Sequence, residues 1–170
     1  SAEDYGGLEF EGCPEMLNET KPEIIQEIHS KFLEAGADII ETNSFGSSRL
    51  VLSEYGISER SYELSKLAAK LAREVADRFT EKDINKPRFV AGSIGPGTKL
   101  VTLGNVDFDE LKNSYRDQIR GLIDGGVDVL LIETCQDPLQ IKAALLACYE
   151  TFTEIETELK DKSDEEILNL

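Results

Sequence analysis

Two short stretches put acidic and hydroxyl side chains directly after apolar runs: Ile39-Ile40-Glu41-Thr42-Asn43 and Leu130-Leu131-Ile132-Glu133-Thr134-Cys135. Each is introduced by Gly-x-Asp, at Gly36-Ala37-Asp38 and at Gly126-Val127-Asp128, so the chain carries an internal repeat. A carboxylate one step beyond a buried strand can hold a ligand ammonium by a charge-assisted hydrogen bond. It can also serve as a general base with a raised pKa, or simply pair with a neighbouring arginine or lysine. Glu133 is the first candidate for such a role, and Glu41 takes the equivalent position in its own strand. Thr42, Asn43, Ser93 and Thr134 would supply neutral hydrogen bonds around the same mouth.

The glycine-rich stretch Gly92-Ser93-Ile94-Gly95-Pro96-Gly97-Thr98-Lys99 invites comparison with a phosphate loop. A Walker loop needs Gly-Lys-Ser/Thr, so that the lysine reaches the outer phosphates as a helix begins. Here Thr98 precedes Lys99, and the pattern is not Gly-x-Gly-x-x-Gly either. The stretch therefore reads as a tight loop whose glycines permit close backbone approach to a ligand, or as a turn alone. Of the three thiols, Cys135 ends a strand and could face a site. Cys148 lies on an apolar helix stripe and Cys13 in the first irregular residues. No pair has zinc-ligand spacing, and the single histidine, His29, borders a buried stripe.

Helices and strands must position these groups. Residues 1–20 read as an irregular lead-in. Thr20 is a plausible N-cap for a helix with Ile24, Ile25, Ile28 and Phe32 on its apolar stripe, stopped by Gly36. A strand follows from Asp38 to Thr42. After a short helix at Arg49 to Glu54, a long one capped near Ser58 repeats Leu64, Leu67, Ala68, Leu71, Val75 and Phe79. Arg88 to Ile94 is a second strand. A helix from Asp109 turns Leu111, Tyr115, Ile119, Leu122 and Ile123 inward, and the unbroken run after Gly126 suits a strand buried on both faces. Asp137-Pro138 opens a last helix that buries Ile141, Ala144, Leu145, Cys148, Phe152 and Ile155. Residues 151–170 read as an acidic tail or insertion.

Strand then helix, three times over, implies parallel strands joined by right-handed crossovers. A full (β/α)8 barrel takes about 250 residues. An α/β chain of 170 residues with three such units is at best a partial TIM barrel, or a small open sheet. Acidic residues outnumber basic ones by 34 to 18, for a formal charge of −16. Such a field repels phosphate backbones and anionic lipid, which leaves no role with nucleic acid or membranes. No apolar run approaches the roughly 18 residues of a membrane helix, and no signal-peptide core opens the chain. A cytoplasmic location is the default, so the sequon at Asn18-Glu19-Thr20 reads as coincidence.

Three motifs, in order, carry a resemblance. Leu33 to Gly46, Phe89 to Leu100 and Leu131 to Asp137 resemble the homocysteine S-methyltransferase domain. In particular they resemble the amino-terminal homocysteine-binding module of cobalamin-dependent methionine synthases. The resemblance implies a TIM barrel that binds homocysteine through zinc held by three cysteines. It also implies that a methyl group passes from methylcobalamin to the zinc-bound thiolate, with folate and cobalamin modules as partners in the parent chain.

By position, Glu133 matches the family's ligand for the homocysteine amine, with Thr42, Asn43 and Ser93 on the rim nearby. The family's first strand is expected before residue 1, and its zinc cysteines in strands after the fourth. On this reading the chain is an internal fragment, strands two to four with their helices, without catalytic residues or metal ligands and with no cofactor bound. The fragment alone is then inactive. Alternatives are a related enzyme using S-methylmethionine or betaine as donor, and a non-catalytic sheet fragment that self-associates through its exposed edges.

Overall fold

The computed structural model describes residues 1–161. Three single 3-10 turns and a one-turn helix, α1 (Leu17–Thr20), make up the lead-in. Helix α2 (Pro22–Glu34), strand β1 (Ile39–Glu41), short helix α3 (Arg49–Leu52) and helix α4 (Ser61–Lys82) follow. Strand β2 (Phe89–Ile94), helix α5 (Phe108–Asp124), strand β3 (Val129–Ile132) and helix α6 (Pro138–Lys160) complete the order. The strands form one sheet in the order β1-β2-β3, parallel throughout, with Glu41 opposite Ala91, Ala91 opposite Val129 and Ser93 opposite Leu131. This is the expected partial-barrel arrangement.

The repeat has a backbone basis. Gly36 and Gly126 both lie at positive φ (106° and 95°), a region open to glycine because it has no Cβ. Each ends a helix the same way: Ala37 N donates to Phe32 O at 3.1 Å, and Val127 N to Leu122 O at 3.3 Å. These are six-to-one closures that turn the chain from helix into strand at a fixed angle. Asp137 caps α6 as expected, its side chain accepting from Leu139 N at 2.9 Å. Asp107 caps α5 in the same way, so that helix starts at Phe108.

One face of the sheet is covered and the other is bare. Ile40, Val90 and Ile94 point to the helices, packing on Leu33 of α2, Ala72, Val75 and Ala76 of α4, and the buried stripe of α5. Ile39 (54% exposed), Phe89 and Val129 (49%) alternate to the opposite face, where nothing among the described residues covers them. The expectation that β3 is buried on both faces is therefore corrected. Its unbroken apolar run serves the helix layer on one side and an open sheet face on the other.

Other local expectations change for related reasons. Thr20 does not cap α2. It ends α1, where its hydroxyl donates to Met16 O, and α2 starts after Lys21 without a side-chain cap. In α2 the buried residues are Ile25, His29 and Leu33, while Ile24, Ile28 and Phe32 (61% exposed) face outward beside the free edge of β1. The α4 helix starts at Ser61, after a 3-10 turn at Ser58–Arg60. In α6 the small residues Ala143, Ala144, Ala147 and Thr151 are buried, whereas Ile141, Leu145 and Phe152 are exposed. A small-residue stripe lets α6 approach α5 closely, and the bulky stripe is turned past β3.

Residues 151–160 continue α6. Lys112, Arg116 and Arg120, one turn apart on α5, pair with Glu150, Glu154 and Glu158 on α6. The acidic residues there are thus a helix face matched to a basic one. Residues 162–170 lie outside the described residues.

Candidate functional site

The C-terminal ends of the parallel strands put Ser93 and Glu133 on the bare face, at the place where α/β folds build their sites. Ser93 Oγ donates to Glu133 Oε1 at 2.6 Å, joining the ends of β2 and β3. Thr134, next in the chain, adopts φ of 56°, a left-handed conformation that is costly for a β-branched residue. Its hydroxyl lies 3.3 Å from Glu133 Oε2. Strain of this kind marks candidate functional positions when surrounding structure holds it in place. Glu41 shares the bare face, and its carboxyl is held above the usual range by partial burial and then by the Glu133 charge.

Thr42 and Asn43 are at the same end of the sheet but are turned elsewhere. Thr42 is buried on the helix side, where its Oγ1 accepts from Ser93 N at 3.0 Å and lies 2.6 Å from Ser44 Oγ. Asn43 sends its amide back to the lead-in, donating to Pro14 O at 2.7 Å and to Asn18 Oδ1 at 3.1 Å. Both therefore shape the rim through its backbone. The glycine-rich loop is likewise committed within the protein: Gly95 N donates to Phe45 O at 3.1 Å, and a Cβ at Gly95 would stand 2.7 Å from that carbonyl. The close approach foreseen there is to a second rim loop.

Four supporting residues have no rim role on the sequence alone. Buried Glu15 accepts from Gly46 N at 2.6 Å, and buried Asn18 donates to Asn43 O at 2.8 Å. Ser44 and Gln118 both donate to Ser93 O. Only Gln118 left a trace, a polar residue on the apolar stripe of α5 between Tyr115 and Leu122. Glu15 and Asn18 sit in a segment without periodicity and gave no signal.

The described residues do not fit a zinc ion. Among the described residues no three His, Cys, Asp or Glu side chains converge as a ligand set. Burial, with Glu15 beside it, pushes the Cys13 thiol up to about 12, and burial pushes Cys148 to about 11. Burial and the carboxylates of Glu133 and Asp137 raise Cys135 as well. Each environment disfavours the thiolate a zinc ligand must be. No helix among the described residues is long and apolar enough to cross a membrane.

Comparison with known proteins agrees with the fold and the rim motifs. The chain is 45% identical over 152 residues to the methionine synthase of Mycobacterium leprae and 45% identical over 151 residues to that of Mycobacterium tuberculosis. In both cases the match covers 89% of this chain and 12% of the relative, so the chain spans about an eighth of their length. The metallated form of the homocysteine methyltransferase MmuM from Escherichia coli superposes with a TM-score of 0.68 at 25% identity, over 79% of this chain and 51% of MmuM. The homocysteine S-methyltransferase family itself matches residues 2–168, nearly the whole sequence, and the chain belongs to that family.

Proposed function

We propose that this chain is part of the homocysteine-binding barrel of a methionine synthase, a longer polypeptide that methylates homocysteine. The Ser93–Glu133 hydrogen bond at the strand ends carries the reading. Glu133 receives the substrate ammonium through a charge-assisted hydrogen bond, and Ser93 fixes which carboxylate oxygen remains free for it. The Thr134 hydroxyl borders the same carboxylate, while Thr42 and Asn43 hold the rim in shape. Glu41, with its raised pKa, adds negative potential that favours a cation.

The methyl donor is methylcobalamin, recharged from methyltetrahydrofolate on folate and cobalamin modules of the parent chain, and the protein is cytoplasmic. A zinc ion, held by residues of the parent enzyme other than those described, would supply the chemistry that makes the homocysteine sulfur a nucleophile at neutral pH. That the described residues supply no such ligand set supports the reading that this chain alone transfers no methyl group. The coverage of relatives, 12% of the methionine synthases and 51% of MmuM, supports the assignment as a fragment.

Titration of isotope-labelled chain with homocysteine tests the binding role: the Glu133 and Ser93 resonances should move, and 4-mercaptobutanoate, which lacks the amine, should move Glu133 little. Tight binding of one zinc per chain, or methionine formed by this chain alone, would overturn the fragment assignment. A second reading rests on the bare apolar residues Ile39, Phe89 and Val129, through which isolated chains would self-associate. A concentration-independent monomer in sedimentation removes that reading.

A further inference from the structure

Ser93 sits where the sheet ladder stops. The last backbone bond from the β1 segment is Thr42 N to Ala91 O at 2.9 Å. Beyond it the chain turns away through Asn43 and Ser44, so the Ser93 peptide faces no strand on that side. Side chains take over the missing bonds. Thr42 Oγ1 accepts from Ser93 N, and Ser44 Oγ donates to Ser93 O at 2.8 Å. Gln118, fully buried on α5, donates through Nε2 to Ser44 O at 2.7 Å and to Ser93 O at 3.3 Å. Its Oε1 has no partner among the described residues, so the amide is oriented by what it donates to.

We infer that Gln118 is a positioning residue for the Ser93–Glu133 pair, acting from beneath the rim without touching ligand. One amide group binds the carbonyls of two successive segments, the turn after β1 and the end of β2, and so fixes their separation. With its N–H, its carbonyl and the neighbouring turn all held, Ser93 has little freedom, and its Oγ stays aimed at Glu133 Oε1. A buried side-chain amide suits this because its loss removes one donor from each of two buried carbonyls, leaving Ser44 O with Ser47 N alone and Ser93 O with Ser44 Oγ alone. The inference rests on the binding role proposed for Glu133, and it deepens that role.

The test uses Gln118→Met, which keeps the shape and removes the donors, with Gln118→Asn, whose shorter side chain draws the amide back from the two carbonyls, should the first not fold. In the unliganded chain, the Glu133 side-chain carboxyl carbon resonance should move towards its position in Ser93→Ala. In Gln140→Met, which removes an equally buried glutamine bonded to Pro96 O and Lys99 O, it should stay in place. Homocysteine affinity should fall about tenfold in Gln118→Met, the value of one hydrogen bond of about 1.4 kcal/mol, with 4-mercaptobutanoate affinity within twofold of the parent. An unmoved Glu133 resonance in a folded variant overturns the assignment, as does an equal loss for both ligands. If the unsubstituted chain binds no homocysteine while the resonance still moves, the positioning role stands and the binding role falls.

Discussion

Ser93 and Glu133 are forty positions apart, yet a hydrogen bond of 2.6 Å joins their side chains across the ends of β2 and β3. The parallel register makes this possible. With Ser93 opposite Leu131, residue 133 projects from the same face one pleat further on. If this pair receives an ammonium, Glu133→Gln should lower homocysteine affinity by roughly 10- to 100-fold, the usual value of a charged hydrogen bond of about 1.5–3 kcal/mol. Ser93→Ala should cost several-fold. Calorimetric titration measures both, and unchanged affinity in Glu133→Gln would remove the carboxylate from the site.

Glu41 provides an electrostatic check. Burial and the Glu133 charge hold its proton more tightly than in an unfolded chain. Stability associated with this group is therefore present at low pH and declines as pH rises through the Glu41 titration. Carboxyl NMR titration should show a lower Glu41 midpoint in Glu133→Gln, because one of the two causes has gone. An unchanged midpoint would mean that the carboxylates do not sense one another.

His29 titrates in the opposite sense. Burial lowers its pKa from 6.5 to about 4, and its Nε2 has no partner among the described residues. Stability is therefore full above pH 6.5 and is lost as pH falls towards 4, by on the order of 3 kcal/mol from this residue. Denaturant unfolding at several pH values should show that part of the loss disappear in His29→Leu. An identical pH slope in the two proteins would contradict it.

The end of α6 depends on the ion pairs to α5. Lys112 to Glu150 is 2.6 Å, and Arg120 to Glu158 is 2.8 Å, with Arg116 to Glu154 between them. These are partly exposed, so each contributes at most about 1 kcal/mol and is weakened by salt. Arg116→Met together with Arg120→Met should speed amide exchange over 153–160 while leaving the β2 amides protected. Equal protection in parent and variant would show that packing alone holds this segment.

Thr134 tests stored strain. Thr134→Gly relieves about 1–2 kcal/mol of left-handed strain and adds about 0.5–1 kcal/mol of chain entropy. The melting temperature should rise by about 2–4 °C, with some loss of homocysteine affinity from the missing hydroxyl. A lower melting temperature would mean that the hydroxyl stabilises more than the backbone conformation costs.

The strands, their parallel order and the carboxylate at the tip of β3 were all legible in the sequence. Each rests on local pattern: apolar runs of strand length, glycines that demand positive φ, and an Asp-Pro cap. The rim motifs were also enough to identify the family. The roles of individual rim residues were not legible. Thr42 faces the helices and Ser93 the open side because of strand parity and register, which a motif does not encode. Glu15, Asn18 and Gln118 reach the rim from distant positions, joined to it by buried hydrogen bonds alone. Nor could hydrophobicity say which apolar stripes would be covered. Ile28, Phe32 and Phe152 look as fit for a core as Ile25 or Leu33, and only the placement of neighbouring elements separates them. Sequence by itself determined the units and their polarity, since helix, strand and turn preferences act over a few residues. Tertiary structure decided which side chains meet at the rim, since that depends on contacts between segments tens of residues apart.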